Sequence, residues 1–124
     1  MENLNLGEME ARFAELIWAN APIASGELVK LCERELEWKK STTYTMLRRL
    51  VQKGIFDNVD SIVTVRMSRE EFAARRSECF VEENFGGSLP GFLAAFTSRR
   101  KLSDAEIREL EEIIRSGKGD DDAR

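Results

Sequence analysis

Histidine is missing from all 124 residues of the chain. Its absence removes a Ser-His-Asp triad, a Cys-His pair and any histidine-based zinc site. Cysteine is almost as scarce. Cys32 and Cys79 stand far apart at apolar helical positions, so buried free thiols are expected, not a disulfide. No apolar run approaches the roughly 18 residues of a membrane span. Met1 is followed by acidic and polar residues, without a secretory pattern, so a cytoplasmic location is expected. No glycine spacing matches a phosphate-binding loop. The carboxylate pairs Glu70–Glu71, Glu82–Glu83 and Glu111–Glu112 are adjacent residues that point different ways on a helix, which suits solvated faces. Neither catalysis, nor a metal, nor a cofactor is expected.

What the chain does contain is a basic island. Its formal charge is −4 overall, yet Lys39 to Gly54, KKSTTYTMLRRLVQKG, carries Lys39, Lys40, Arg48, Arg49 and Lys53 and no acid. A local positive surface on an acidic protein suits a polyanion. Thr43, Met46, Leu47 and Leu50 fall three and four apart, the spacing of one helical face. Ser41, Thr42, Tyr44, Thr45, Arg48 and Gln52 then occupy the other face and its edges. Gly54 supplies the stop, because glycine accepts left-handed backbone geometry. Such a helix suits a DNA major groove: arginine pairs with guanine, and hydroxyls reach phosphates or base edges.

Before the island, Asn5 and Glu8 suggest a capping box for a helix that places Leu6, Met9, Phe13, Leu16 and Ile17 on one face. Asn20, Ala21 and Pro22 end it. A short helix should begin near Ser25, with Leu28, Leu31 and Cys32 inward, and Trp38 should plug the core. Two short helices followed by a basic one describe a helix-turn-helix. After Gly54 the period shortens to two: Ile55-Phe56 and Ile62 to Arg66 read as strands around a turn at Asn58 to Ser61. A hairpin in that place is the wing of a winged helix.

The second half reads as three helices. Ser68 with Glu71 caps one that runs to about Asn84, with Phe72, Cys79 and Phe80 inward. Gly86-Gly87 breaks the chain, and Ser88 caps the next helix, where Pro90 sits in the first turn. Ser103 with Glu106 caps the last, ending near Gly117. The expected architecture is mainly α with a small β-hairpin. It comprises a winged helix-turn-helix DNA-binding domain at 1–67, a helical dimerisation domain at 68–116 and a disordered acidic tail at 117–124. The later helices are too few to bury their apolar faces alone, so a homodimer is expected through Phe92, Leu93, Phe96, Ile107, Leu110, Ile113 and Ile114.

From Leu6 to Ile114 the chain resembles the penicillinase repressor family of bacterial transcription regulators, the BlaI, MecI and CopY type. The resemblance rests on LGEMEARFAELIW (Leu6 to Trp18), on Trp38 with TTYTMLRRLVQKG (Thr42 to Gly54), and on FGGSLPGFLAAF (Phe85 to Phe96) with LSDAEIRELEEII (Leu102 to Ile114). It implies a dimeric winged-helix repressor of palindromic operator DNA. The family's contacts fall on Ser41, Thr42, Tyr44, Thr45, Arg48 and Arg49, beside the island's Lys39, Lys40 and Lys53. It also implies a membrane sensor protease as a partner, cutting between Ala95 and Phe96; asparagine commonly precedes that phenylalanine in members regulated this way, and alanine stands here. The copper-responsive branch ends in a cysteine cluster, where this chain has GKGDDDAR. The hairpin turn holds Asp57 and Asp60 with Arg66 as the one nearby base, so the wing should add little to DNA affinity. That acidity keeps a second reading open, a dimeric helical protein-interaction module that has kept the fold without strong DNA binding.

Overall fold

The computed structural model of the chain describes residues 4–117, and the tail beyond Gly117 lies outside them. Nine elements follow in order: α1 (Glu8–Asn20), β1 (Ile23–Ala24), α2 (Ser25–Leu36), α3 (Lys40–Gln52), β2 (Phe56–Val59), β3 (Ile62–Val65), α4 (Arg69–Phe85), α5 (Leu89–Arg99) and α6 (Asp104–Ser116). The sheet order is β1-β3-β2, all antiparallel, with Phe56 opposite Val65 and Val59 opposite Ile62. β1 is a two-residue strand pairing Ile23 with Val63.

The N-terminal helices close a single apolar core. Phe13, Ala14 and Ile17 of α1, Leu28 and Cys32 of α2, Leu47 and Leu50 of α3, and Ile55, Phe56 and Val63 of the hairpin are buried together. Trp38 is half-buried against it, its ring 5.1 Å from Phe13. Burial of Thr43, Leu47 and Leu50 confirms the face expected of the basic helix. Gly54 follows the end of α3 with φ of 81°, the left-handed geometry its position requires. The hairpin turn is tighter than expected. Only Asp60 and Ser61 form it, both with positive φ, so Asn58 and Val59 remain in the strand.

Three local expectations fail for physical reasons. The cap of α1 is Gly7, not Asn5: Glu10 reaches back to accept from the Gly7 N–H at 3.1 Å, while the Asn5 carbonyl accepts from Lys53 at 2.8 Å. Met9 lies outside the core at 39% exposure. Phe80 is also exposed, because the core reaches only the first turn of α4, where Phe72 is buried.

α5 and α6 differ from everything before them. Their caps form as expected: Ser88 accepts from the Gly91 N–H, and Ser103 and Glu106 make a reciprocal box. Yet neither helix has one buried residue. Phe80, Phe85, Phe92 and Phe96 make a chain of ring contacts along α4 and α5 at centroid distances of 5.6–6.2 Å.

Candidate nucleic-acid interface

α3 has no side-chain cap. Lys39 occupies the cap position in extended conformation, and no acid lies in the first turn. The opening N–H groups of the helix are therefore available to an outside acceptor, and the helix dipole adds partial positive charge there. Lys39, Lys40, Ser41 and Thr42 surround that end, all exposed. A helix N-terminus with flanking lysines and hydroxyls holds phosphate oxygens well.

Further along, Ser41, Thr42, Thr45 and Arg49 line one shallow depression with Met46. Arg49 lies along Met46, with Nη1 3.7 Å from Sδ. Arg48 is exposed one position away. Among the described residues no carboxylate pairs with Lys39, Lys40, Arg48 or Arg49, although many exposed cations elsewhere on the molecule are paired.

Two expected members of the set are placed differently. Lys53 sits at the end of α3, mostly buried, donating to the Asn5 carbonyl and 3.8 Å from Glu10. It ties the N-terminal segment to α3 and does not join the exposed face. Tyr44 is half-buried, and its hydroxyl donates to Ser25 Oγ at 3.3 Å, joining α3 to the start of α2. Ser25, expected only as the start of α2, is itself buried and accepts this bond.

Behind the helix, Thr43 is fully buried and its hydroxyl makes no hydrogen bond. It lies near the Cys32 thiol, whose pKa is raised by burial and only partly offset by that hydroxyl; proximity without good alignment accounts for both facts. Glu37, left-handed at φ 56°, turns the chain from α2 into α3. The wing is held by its own charges: Arg66 pairs with Asp57 at 3.5 Å. Val59 and Ile62, opposite one another at the tip, are exposed.

The α5–α6 region gathers most of the expected interface residues. Phe92, Leu93, Phe96, Leu110 and Ile113 line one open apolar groove with Leu102 and Arg100. Ile107 and Ile114 lie outside it, exposed at 41% and 62%. Arg100 closes the corner between the helices, pairing with Glu106 at 2.9 Å and lying over the Phe96 ring at 5.1 Å. This guanidinium, aided by the Ser103 N–H, holds the Glu106 carboxyl below the usual carboxylate range. Ala95 and Phe96 are in the body of α5, both exposed, and the Phe96 carbonyl accepts from the Arg100 N–H.

Among the described residues no helix is long and apolar enough to cross a membrane, and no group of three acidic or cysteine side chains is placed to hold a metal ion. The chain is 25% identical over 117 residues to the penicillinase repressor of Bacillus licheniformis, covering 91% of each. It is 20% identical over 113 residues to the methicillin resistance regulatory protein MecI of Staphylococcus aureus, covering 88% of this chain and 92% of the relative. An uncharacterised 16.5 kDa protein of Latilactobacillus sakei is 24% identical over 118 residues. The penicillinase repressor family matches residues 6–116, nearly the whole described chain, and this helical protein with its small three-stranded sheet belongs to that family of transcriptional repressors.

Proposed function

We propose that the protein is a dimeric transcriptional repressor that binds palindromic operator DNA through α3. The observation that carries the reading is the uncapped, unpaired basic face of that helix, set on a packed scaffold inside an otherwise acidic chain. Lys39 and Lys40, with the opening N–H groups, hold backbone phosphates. Arg48 or Arg49, with Thr45, reads base edges, and Ser41 and Thr42 stand between the two roles. Lys53 and Tyr44 act from within, fixing the helix on its neighbours.

Dimerisation follows from the later helices. Phe96, Ile107, Ile113 and Ile114 are all more than 40% exposed, and no residue of α5 or α6 is fully buried in the single chain. Soluble proteins seldom leave such a patch in water. A second copy related by a two-fold axis covers it and presents two α3 helices to successive major grooves about 34–36 Å apart. In this reading a sensor protease is a partner that cuts at Ala95–Phe96, separating α6 from the DNA-binding part. The bond lies inside a helix, so α5 must unwind before it is cut. Mass spectrometry of the chain from induced cells tests this, and an intact chain under full derepression contradicts it.

An electrophoretic shift with bulk genomic DNA tests the main reading. The wild-type chain should shift the DNA at low salt, and a variant with Lys39, Lys40, Arg48 and Arg49 all changed to alanine should not. Equal mobility of both proteins' mixtures would contradict the reading. That result would favour a protein-contact module, for which the self-paired acidic wing is the supporting observation.

A further inference from the structure

The junction between α1 and α4 carries more fastening than its place at a domain boundary requires. The Arg69 guanidinium donates to both carboxylate oxygens of Glu15 at 2.8 Å, although the two residues are 54 positions apart. The same guanidinium lies 5.7 Å from the centre of the Trp18 ring. The Trp18 indole N–H donates to the Met67 carbonyl at 2.9 Å, one residue before the Ser68 cap. The ring also packs 5.4 Å from Phe56 of the wing and 5.4 Å from Phe72 of α4. Phe72 and the Arg69 contact are thus two fixed points in the first turn of α4.

Two fixed points on one helix determine its direction as well as its position. One buried ring, Phe72, would hold α4 to the core while leaving its tilt free. The Glu15–Arg69 pair is half exposed on both sides, so it adds little to stability. It nevertheless restrains rotation, because the single Nε–H shared by both Glu15 oxygens and the stacking of the guanidinium over the Trp18 ring hold Arg69 at two places. α4 leads directly to the apolar helices, so its tilt sets how far apart two copies of α3 stand.

We propose that Glu15 and Arg69 are positioning residues that fix the angle between α3 and α4, and so determine which half-site spacing a dimer accepts. The inference rests on the repressor reading and adds to it a determinant of specificity that touches no DNA. One base pair inserted between half-sites rotates one of them by about 35° around the duplex. A rigid junction must resist that rotation; a loosened one absorbs part of it.

The experiment uses the full chain and duplexes that it selects from random-sequence DNA, then the same duplexes with one base pair added or removed between the half-sites. Wild type should lose about tenfold in affinity on each altered spacing, the scale expected when the second head no longer fits without strain. Arg69→Ala should lose less than about threefold, while its dimer mass and unfolding temperature stay close to wild type. The charge-swapped pair Glu15→Arg with Arg69→Glu should restore most of the discrimination. Spacing preference in Arg69→Ala as sharp as in wild type, or a wild type indifferent to spacing, would overturn the proposal. A wild type that selects no duplex at all would overturn the repressor reading itself, and the junction's role with it.

Discussion

The segment from Leu4 to Phe72 and the segment from Gly86 to Gly117 are made of similar helices with similar caps, yet they solve the burial problem in opposite ways. The first contains all thirteen buried apolar residues among those described, from Leu4 to Phe72, and closes on itself. The second contains none, although its last helix has the more sharply divided apolar and charged faces: Ile107, Leu110, Ile113 and Ile114 against glutamates and arginines. Amphipathicity alone therefore does not tell whether a helix is covered by its own chain. What differs is the neighbourhood. α1, α2, α3 and the hairpin approach from several directions, whereas α5 packs on α4 and shares an open groove with α6. In the proposed dimer, a second copy of the chain completes the face that is left uncovered.

The comparison breaks first if the N-terminal unit is not self-sufficient. Phe13→Ala removes a fully buried ring at the centre of the core and should cost about 3–5 kcal/mol. Chemical denaturation followed by Trp18 and Trp38 fluorescence measures it. A loss below about 1 kcal/mol would mean that this core is not what holds the unit together.

The next largest effect concerns the exposed face of α3. If Arg49 is the base reader of the proposed pair Arg48 and Arg49, Arg49→Ala should cost roughly 1–3 kcal/mol on a selected duplex and relax preference at one position. Lys39→Ala should weaken all sequences alike and lower the slope of affinity against salt by about one. Fluorescence anisotropy on selected and random duplexes separates the two. Identical losses on both DNAs for both variants would refute the division between phosphate and base contacts.

Smaller still is the cap of α6. Ser103→Ala breaks the reciprocal box with Glu106 and should cost about 1 kcal/mol of helix stability. Because α6 lies in the half that needs a partner, the loss should be seen as weaker dimerisation, with the unfolding of the N-terminal core unchanged. Equal loss in both halves would show that the two are not independent. Acid should have the same selective effect. Glu106 has a lowered pKa, chiefly through its hydrogen bond to Arg100, so its contribution is present at neutral pH and fades as the pH falls through the carboxylate range. Dimer dissociation measured between pH 7 and pH 3 should rise towards the acid end, and Glu106→Gln should flatten that part of the response.

These two regions were also unequally legible in the sequence. The apolar spacing of α3, the glycine after it and the serine caps of α4, α5 and α6 are local signals, and each element formed where it was expected. Most of the errors lie where a distant residue decided the outcome. The cap of α1 lies at Gly7, where Glu10 reaches back to the backbone N–H, and Lys53 is drawn to the Asn5 carbonyl, 48 positions away, and lies off the exposed basic face. β1 has two residues, too few for any periodicity to be visible, and exists because β3 supplies its partner. Tyr44 is expected among the DNA-contacting residues from its helical position, and its half-buried hydroxyl bonded to Ser25 is a tertiary contact that spacing does not reveal. Phe80 looked inward because it shares a face with Phe72; the core simply ends before reaching it. The candidate DNA residues that stayed exposed are those whose position depends on α3 alone.

The central claim is that the C-terminal helices are completed by a second copy of the chain. Sedimentation equilibrium of the wild-type protein and of Leu110→Asp at micromolar concentration tests it directly. Leu110 lines the apolar groove between α5 and α6 and lies far along the chain from α3, so the change introduces a charge at the interface and leaves the basic helix alone. The account predicts twice the chain mass for wild type and the single chain mass for Leu110→Asp, with the N-terminal core still folded. A wild type that sediments as a monomer, or a Leu110→Asp chain that sediments as a dimer, would contradict it.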